Sequence, residues 1–232
     1  MRQSSPEVHT FFDEATNAAC HIVKDPASNA VAIIDSILDF DAAAGRTETT
    51  HADKLIDEIT RNDWQVAWIL ETHVHADHLS AAPYLAEKLG GKIAIGANIT
   101  AVQKVFGKIF NAGTEFEMDG SQFDRLFAHG DVFAIGNLDV AVMHTPGHTP
   151  GHVSVEVTGA DRRAIITGDS FHHPCQVARP EWSTRVDSDR DGSSVTRRKL
   201  LDEIAGSDTW LIGSHFARPT GGRVIRAGET FQ

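Results

Sequence analysis

Short apolar runs separated by turn chemistry fill the first part of the chain. Val8–Phe12, Ala19–Val23 and Ala30–Asp35 have strand length, and Asp25-Pro26 with Ser28-Asn29 supplies a hairpin-like turn between the last two. The period then changes. Leu55, Ile56 and Ile59 recur at helical spacing within Thr50–Ile59, behind a threonine cap. Val66–Leu70 predicts a strand, Ser80–Leu89 a helix with Pro83 in its first turn, and Lys92–Ile95 a short strand. Asn98–Phe110 predicts a helix with Val102, Val105, Phe106 and Ile109 on one face, and Phe106 and Phe110 read as core or groove wall. After Gly113 come four strands: Val132–Ile135, Leu138–His144, Val153–Val157 and Ala164–Thr167. A helix over Ser193–Ile204 and strands over Trp210–Gly213 and Gly222–Arg226 complete the pattern. The order predicts an α/β fold in one domain, residues 1–232, with halves of about 1–120 and 121–232. No glycine-rich phosphate-binding motif, internal repeat or long linker interrupts it.

Composition narrows the function classes. With 232 residues and 41% hydrophobic content, the chain can bury a substantial core. No apolar run reaches membrane-spanning length, and MRQSSPEVHTFF lacks the charged-then-apolar order of a secretory signal. The expected location is the cytoplasm, without a membrane partner. Cys20 and Cys175 make neither a disulfide framework nor a C-x-x-C pair. A net charge of −11 argues against a nucleic-acid partner and leaves a small-molecule substrate. Oligomeric state is open between a monomer and a homodimer. The charge is uneven: residues 1–178 carry 12 basic and 24 acidic side chains, residues 179–232 carry 9 and 8. Arg197, Arg198 and Lys199 read first as a solvated basic helix face.

The candidate chemistry begins at T-H-V-H-A-D-H-L. His73, His75, Asp77 and His78 fall within six positions, directly after the apolar run Val66–Leu70. Imidazole and carboxylate at this density suit zinc or iron. On an extended strand end, His73, His75 and Asp77 would point one way and His78 the other. Further donors follow other predicted strands. His148 stands in H-T-P-G-H-T-P-G-H, where a Pro/Gly elbow projects a side chain; His144 and His152 are candidates to orient ligands from behind. Asp169 in T-G-D-S suits either a bridge between ions or a turn cap, and His215 in I-G-S-H-F either a ligand or a packed histidine. Four strand ends thus deliver metal-ligand types.

H-V-H-A-D-H, P-G-H-T, G-D and the late S-H together resemble the signature of the metallo-β-lactamase fold superfamily, over nearly the whole chain. The resemblance implies a four-layer αβ/βα sandwich with metals at one edge between two sheets. It implies His73, His75 and His148 on one ion, Asp77, His78 and His215 on a second, and Asp169 between them.

Within that superfamily two branches are visible. Residues from about Phe11 to Pro150, with I-I-D-S-I-L-D-F-D and D-G-S-Q-F-D-R-L-F-A-H-G-D, resemble persulfide dioxygenases and β-lactamase-hydrolase-like proteins. That branch implies one Fe(II) on His73, His148 and Asp169. From about residue 151 to 232, G-D-S-F-H-H-P-C-Q-V-A-R-P-E-W and G-S-H-F-A-R-P-T-G-G-R resemble methyl parathion hydrolase and lactonase-like enzymes. A chain joined from two lineages, natural or engineered, accounts for both and for the change in charge. The leading expectation is a dinuclear hydrolase with two zinc-like ions and a bridging hydroxide, acting on an ester, lactone, thioester or phosphotriester. Asp77 or Asp169 would pass a proton to the leaving group. Phe171, His172, His173, Trp182 and Phe216 are candidate pocket walls. The alternative is a one-iron persulfide dioxygenase.

Overall fold

A computed structural model describes residues 5–113 and 115–232. Strands β1 (Glu7–Asp13), β2 (Ala18–Lys24) and β3 (Ala30–Ile34) form an antiparallel meander. Then come β4 (Ile37–Asp41), β5 (Arg46–Glu48), α1 (Thr50–Arg61), β6 (Gln65–Glu71) and the two-residue β7 (Leu79–Ser80). Helix α2 (Ala82–Leu89), β8 (Lys92–Gly96), α3 (Ile99–Ile109) and β9 (Arg125–Phe127) follow. The second half holds β10 (Val132–Ile135), β11 (Leu138–His144), β12 (Val153–Thr158) and β13 (Arg163–Ile166). It continues with α4 (Cys175–Ala178), α5 (Arg190–Ile204), β14 (Trp210–Ile212) and β15 (Gly221–Arg223).

Two six-stranded sheets result, ordered β1-β2-β3-β6-β8-β9 and β10-β11-β12-β13-β14-β15. Period-two alternation explains how they stack. In β3, Ala32 and Ile34 face the opposite sheet while Val31 and Ile33 face the helices. In β13, Ala164 and Ile166 point inward and Ile165 outward. The inner faces merge in one core that joins Leu70 and Phe127 to Val140, Val155 and Ile166. Leu55, Ile59 and Leu85 of α1 and α2 pack on the outer face of the first sheet, and Leu200, Leu201 and Ile204 of α5 on that of the second. Each fully buried aliphatic side chain contributes about 1.5–3 kcal/mol. The layers run helix, sheet, sheet, helix, as the resemblance implies.

Several local expectations change. The expected Thr49 cap is not made; its hydroxyl donates to Asp53 Oδ2 at 2.9 Å. Asp39 of β4 instead accepts the His51 N–H at 2.8 Å, so a strand distant in sequence covers the helix end. Helix α2 starts at Ala82, because Leu79 and Ser80 pair with β4. Strand β9 carries the first sheet to Phe127, past the expected boundary near residue 120. Helix α3 buries Val102 but leaves Val105, Phe106, Ile109 and Phe110 exposed, so its apolar face does not pack inward as expected. Among the described residues no helix is long and apolar enough to cross a membrane.

Candidate metal centre

The site forms where strands of both sheets end. Strand β6 stops at Glu71, and Thr72–His78 bends rather than continuing extended, so the strand-end alternation expected for these four donors does not apply. The bend is held from behind. Asp35, left-handed at φ 55° just after β3, accepts the Thr72 N–H at 2.7 Å and the Thr72 hydroxyl at 2.9 Å. The Thr72 carbonyl accepts the Val153 N–H at 2.9 Å, which joins the two sheets at this point.

Three histidines facing the centre have their other nitrogen engaged. His73 Nδ1 lies 3.0 Å from the Thr72 hydroxyl, His148 Nδ1 3.3 Å from Asp187 Oδ1, and His215 Nδ1 2.7 Å from the Asn17 carbonyl. Their Nε2 atoms then turn toward one carboxylate: His73 at 3.5 Å and His148 at 3.4 Å from Asp169 Oδ2, and His215 at 3.2 Å from Oδ1. His75 is held the other way round, with Nε2 3.0 Å from Glu71 and 3.3 Å from Asp35, which leaves Nδ1 for a ligand. Burial opposes its protonated form, but those two carboxylates win and raise its pKa well above the ordinary value.

Asp169 follows β13 through Gly168, whose φ is 53°; a Cβ there would meet the Thr72 hydroxyl at 2.6 Å and His152 Nε2 at 2.7 Å. His152 Nε2 accepts the Asp169 N–H at 2.9 Å and Nδ1 contacts the Thr145 hydroxyl at 2.9 Å, so it braces the Asp169 backbone from behind. Burial drives its pKa down to about 3. His144 does not share that role, bonding instead toward Asn98 and the Pro150 carbonyl. Burial alone would raise the Asp169 carboxyl, yet His73 and its other imidazole neighbours hold it well below the usual range.

The donors group differently from the expected sets. Ligand atoms of His73, His148 and Asp169 lie within 4.8 Å of one another, as do those of His75, Asp77 and His78. Asp77 Oδ2 is 3.2 Å from His78 Nδ1 and 3.8 Å from His215 Nε2. His172, expected as a pocket wall, lies among the donors, its Nε2 3.3 Å from Asp169 Oδ2. The other wall candidates do not line the centre. Phe171 and Phe216 are buried in the hydrophobic core under α5, because their rings fill the gap between that helix and β14. His173 Nδ1 accepts the Cys175 N–H at 3.1 Å and so closes a local turn. The Trp182 side chain is exposed, while its carbonyl serves Gln176 and Arg197.

Sequence reading missed Asp35, Glu71, Asn17 and Asp187. Asp35 had a usable signal, since it ends an apolar strand as Asp169 nearly does. Asp187 is buried and pulled down to about 2: burial opposes, but His148, the Thr184 N–H and Arg197 outweigh it. Arg197 is fully buried, 3.6 Å from Asp187, rather than on a solvated face. Its guanidinium donates to the carbonyls of Ser170, Pro180 and Trp182 and the hydroxyls of Ser183 and Ser193.

The metallo-beta-lactamase superfamily model matches residues 17–212. The chain belongs to that superfamily. It is 51% identical over 173 residues to a probable metallo-hydrolase of Burkholderia pseudomallei, covering 72% of this chain and 59% of that protein. It is 40% identical over 232 residues to a beta-lactamase hydrolase-like protein of Agrobacterium fabrum, covering 99% of this chain and 51% of that one. The chain therefore spans little more than half the length of these curated relatives. The second similarity extends to both sides of Pro150. Among solved structures, ETHE1 from Myxococcus xanthus superposes with a TM-score of 0.65 at 20% identity, over 97% of this chain and 79% of that one, which shows a shared fold. In this metallo-beta-lactamase fold member, the His and Asp donors meet at one edge between the sheets.

Proposed function

We propose that the chain is a dinuclear metal-dependent hydrolase acting on an ester, lactone, thioester or phosphotriester. One observation carries this reading: the Asp169 carboxylate has the Nε2 atoms of His73, His148, His172 and His215 within 3.5 Å. The donors fit metal ions. Two donors at 2.0–2.1 Å from one tetrahedral ion stand about 3.3 Å apart, close to the spacings seen. His73 Nε2 and both ring nitrogens of His78 are also buried without a hydrogen-bond partner, a cost that ligation removes.

Two ions held there would supply a water ionised near neutral pH and a Lewis acid for the substrate oxygen. The protein fixes everything else. Asp169, on an anchored backbone, belongs to two groups of donors, one with His73 and His148 and one with His172 and His215. Asp35, Glu71 and Asp187 lock the imidazole rings, so the donor set is built before substrate arrives. Asp77 is the more accessible carboxylate, its side chain 28% exposed against 6% for Asp169, and is suited to hand a proton to the leaving group.

A second reading rests on the compact His73, His148 and Asp169 trio: one Fe(II) in a persulfide dioxygenase. Metal analysis with two assays separates the readings. Two ions per chain and turnover of an activated ester are expected. One iron per chain with persulfide-dependent O₂ uptake overturns the hydrolase. His215→Ala should cut ester turnover at least about a hundredfold, as for a lost ligand; undiminished turnover counts against two ions.

A further inference from the structure

We propose that a cleft on the flank of the sandwich, separate from the metal centre, binds a small amphipathic anion: a carboxylate or phosphate head on an apolar chain. The cleft opens where edge strand β1 of one sheet faces β13, β14 and edge strand β15 of the other, and its volume is about 430 Å³. That falls in the range of about 300–1,000 Å³ typical of small-molecule sites. Ala164 and Trp210 pair near the starts of β13 and β14, whereas Asp169 and His215 follow the ends of those strands. The cleft thus shares no residue with the donor cluster.

Its walls suit an apolar chain. Ala164 and Ile212 belong to the core between the sheets, and Val8 packs against that core, so the cleft continues the apolar interior outward. Trp210 stands beside them 42% exposed, a large aromatic surface left to water. Thr10 Oγ1 lies 3.3 Å from Thr220 Oγ1 and ties the two edges together across the cleft. Each methylene group that leaves water there should tighten binding about fourfold.

The charge at the cleft selects the head. Arg162 and Arg218 line it, and among the described residues neither guanidinium is held in an ion pair or hydrogen bond. The other charges nearby are committed. Arg163 pairs with Glu156 at 2.7 Å and Glu203 at 2.8 Å, Arg223 with Asp208 at 2.6 Å, and Asp161 accepts the Ser5 hydroxyl. Two uncommitted cations beside an apolar cleft are the reverse of a chain whose net charge is −11. The planar guanidinium matches a carboxylate or phosphate through paired N–H donors.

The test uses the full chain with its metal, labelled with nitrogen-15, and follows the indole N–H signals of its four tryptophans. Trp210→Phe identifies the Trp210 signal by its loss. Octanoate and octyl phosphate are the probes, and whichever binds tighter names the head. Either should move the Trp210 signal in a saturable way and leave those of Trp64 and Trp68 in place. Butyrate should bind at least about tenfold more weakly, for want of four methylenes. The double variant Arg162→Gln/Arg218→Gln should weaken octanoate about tenfold. Val8→Phe, which fills the cleft, should abolish the shift, and unmoved Trp64 and Trp68 signals verify the fold of each variant. Octyltrimethylammonium, with the same chain and the opposite charge, should leave Trp210 unmoved. A Trp210 signal unmoved by both anions overturns the proposal, as does equal binding of the cation or undiminished binding in the arginine double variant.

Discussion

Asp187 and Arg197 show how much a candidate ligand depends on groups outside the donor cluster. Asp187 holds His148 Nδ1 on one side and faces a fully buried guanidinium on the other. Asp187→Ala leaves that cation buried without its carboxylate, so an unfolding titration should show a loss of about 3–5 kcal/mol. Metal affinity should fall about 10- to 100-fold through the freed imidazole, read by metal titration. The pair was not legible in the sequence. Nothing in V-D-S-D announces burial, and R-R-K resembles a solvated face until the loop at residues 180–183 wraps its first arginine. A second residue bears on pH. Burial pushes His21 down to about 4 from an ordinary value of 6.5. The unfolded chain takes up this proton first, so the stability tied to neutral His21 is complete above about pH 6.5 and is lost as pH falls toward 4. Across that window the loss is about 3 kcal/mol, and His21→Gln should flatten the stability curve there.

Elements succeed or fail in the sequence according to whether their stabilising contacts are local. Helices α1 and α2 and strands β2, β3, β6 and β12 follow their own apolar period and fall close to their predicted places. Strands β4, β5 and β9 are short or polar and exist through partners elsewhere, which a linear pattern does not encode. The start of α1 is a testable case. Asp39→Ala should cost about 1 kcal/mol by removing the acceptor at His51 N–H, and Thr49→Ala close to nothing; equal losses in urea unfolding would restore threonine as the cap. The His148 loop is another. Gly147 has φ 133°, and a Cβ would meet the Ser193 backbone at 2.3 Å. Gly147→Ala should cost at least about 1–3 kcal/mol in strain and should shift His148, seen as weaker metal binding.

At the scale of the molecule, the ligand types were legible because H-x-H-x-D-H, G-H-T and G-D each follow an apolar run. Their grouping was not, because it depends on how loops from two sheets meet over Asp169. Metal should therefore bind the assembled fold and not the separate loops. Chelation should lower the unfolding temperature and speed hydrogen exchange over residues 72–78, 147–149 and 171–176; at free metal near a thousandfold above Kd the stabilisation is about 4 kcal/mol. Unchanged exchange there on metal removal would show that the loops stand without ions. One contact carries this further. His215 is fixed by the carbonyl of Asn17, 198 residues earlier, and the adjacent Ser214 carbonyl accepts the Ala19 N–H at 2.7 Å. The turn at Asn17 and the loop at His215 must therefore meet before that imidazole is held in place. An ion that used His215 would then depend on the first hairpin as well as on the loop that carries the imidazole, and a fragment without that hairpin should load it poorly.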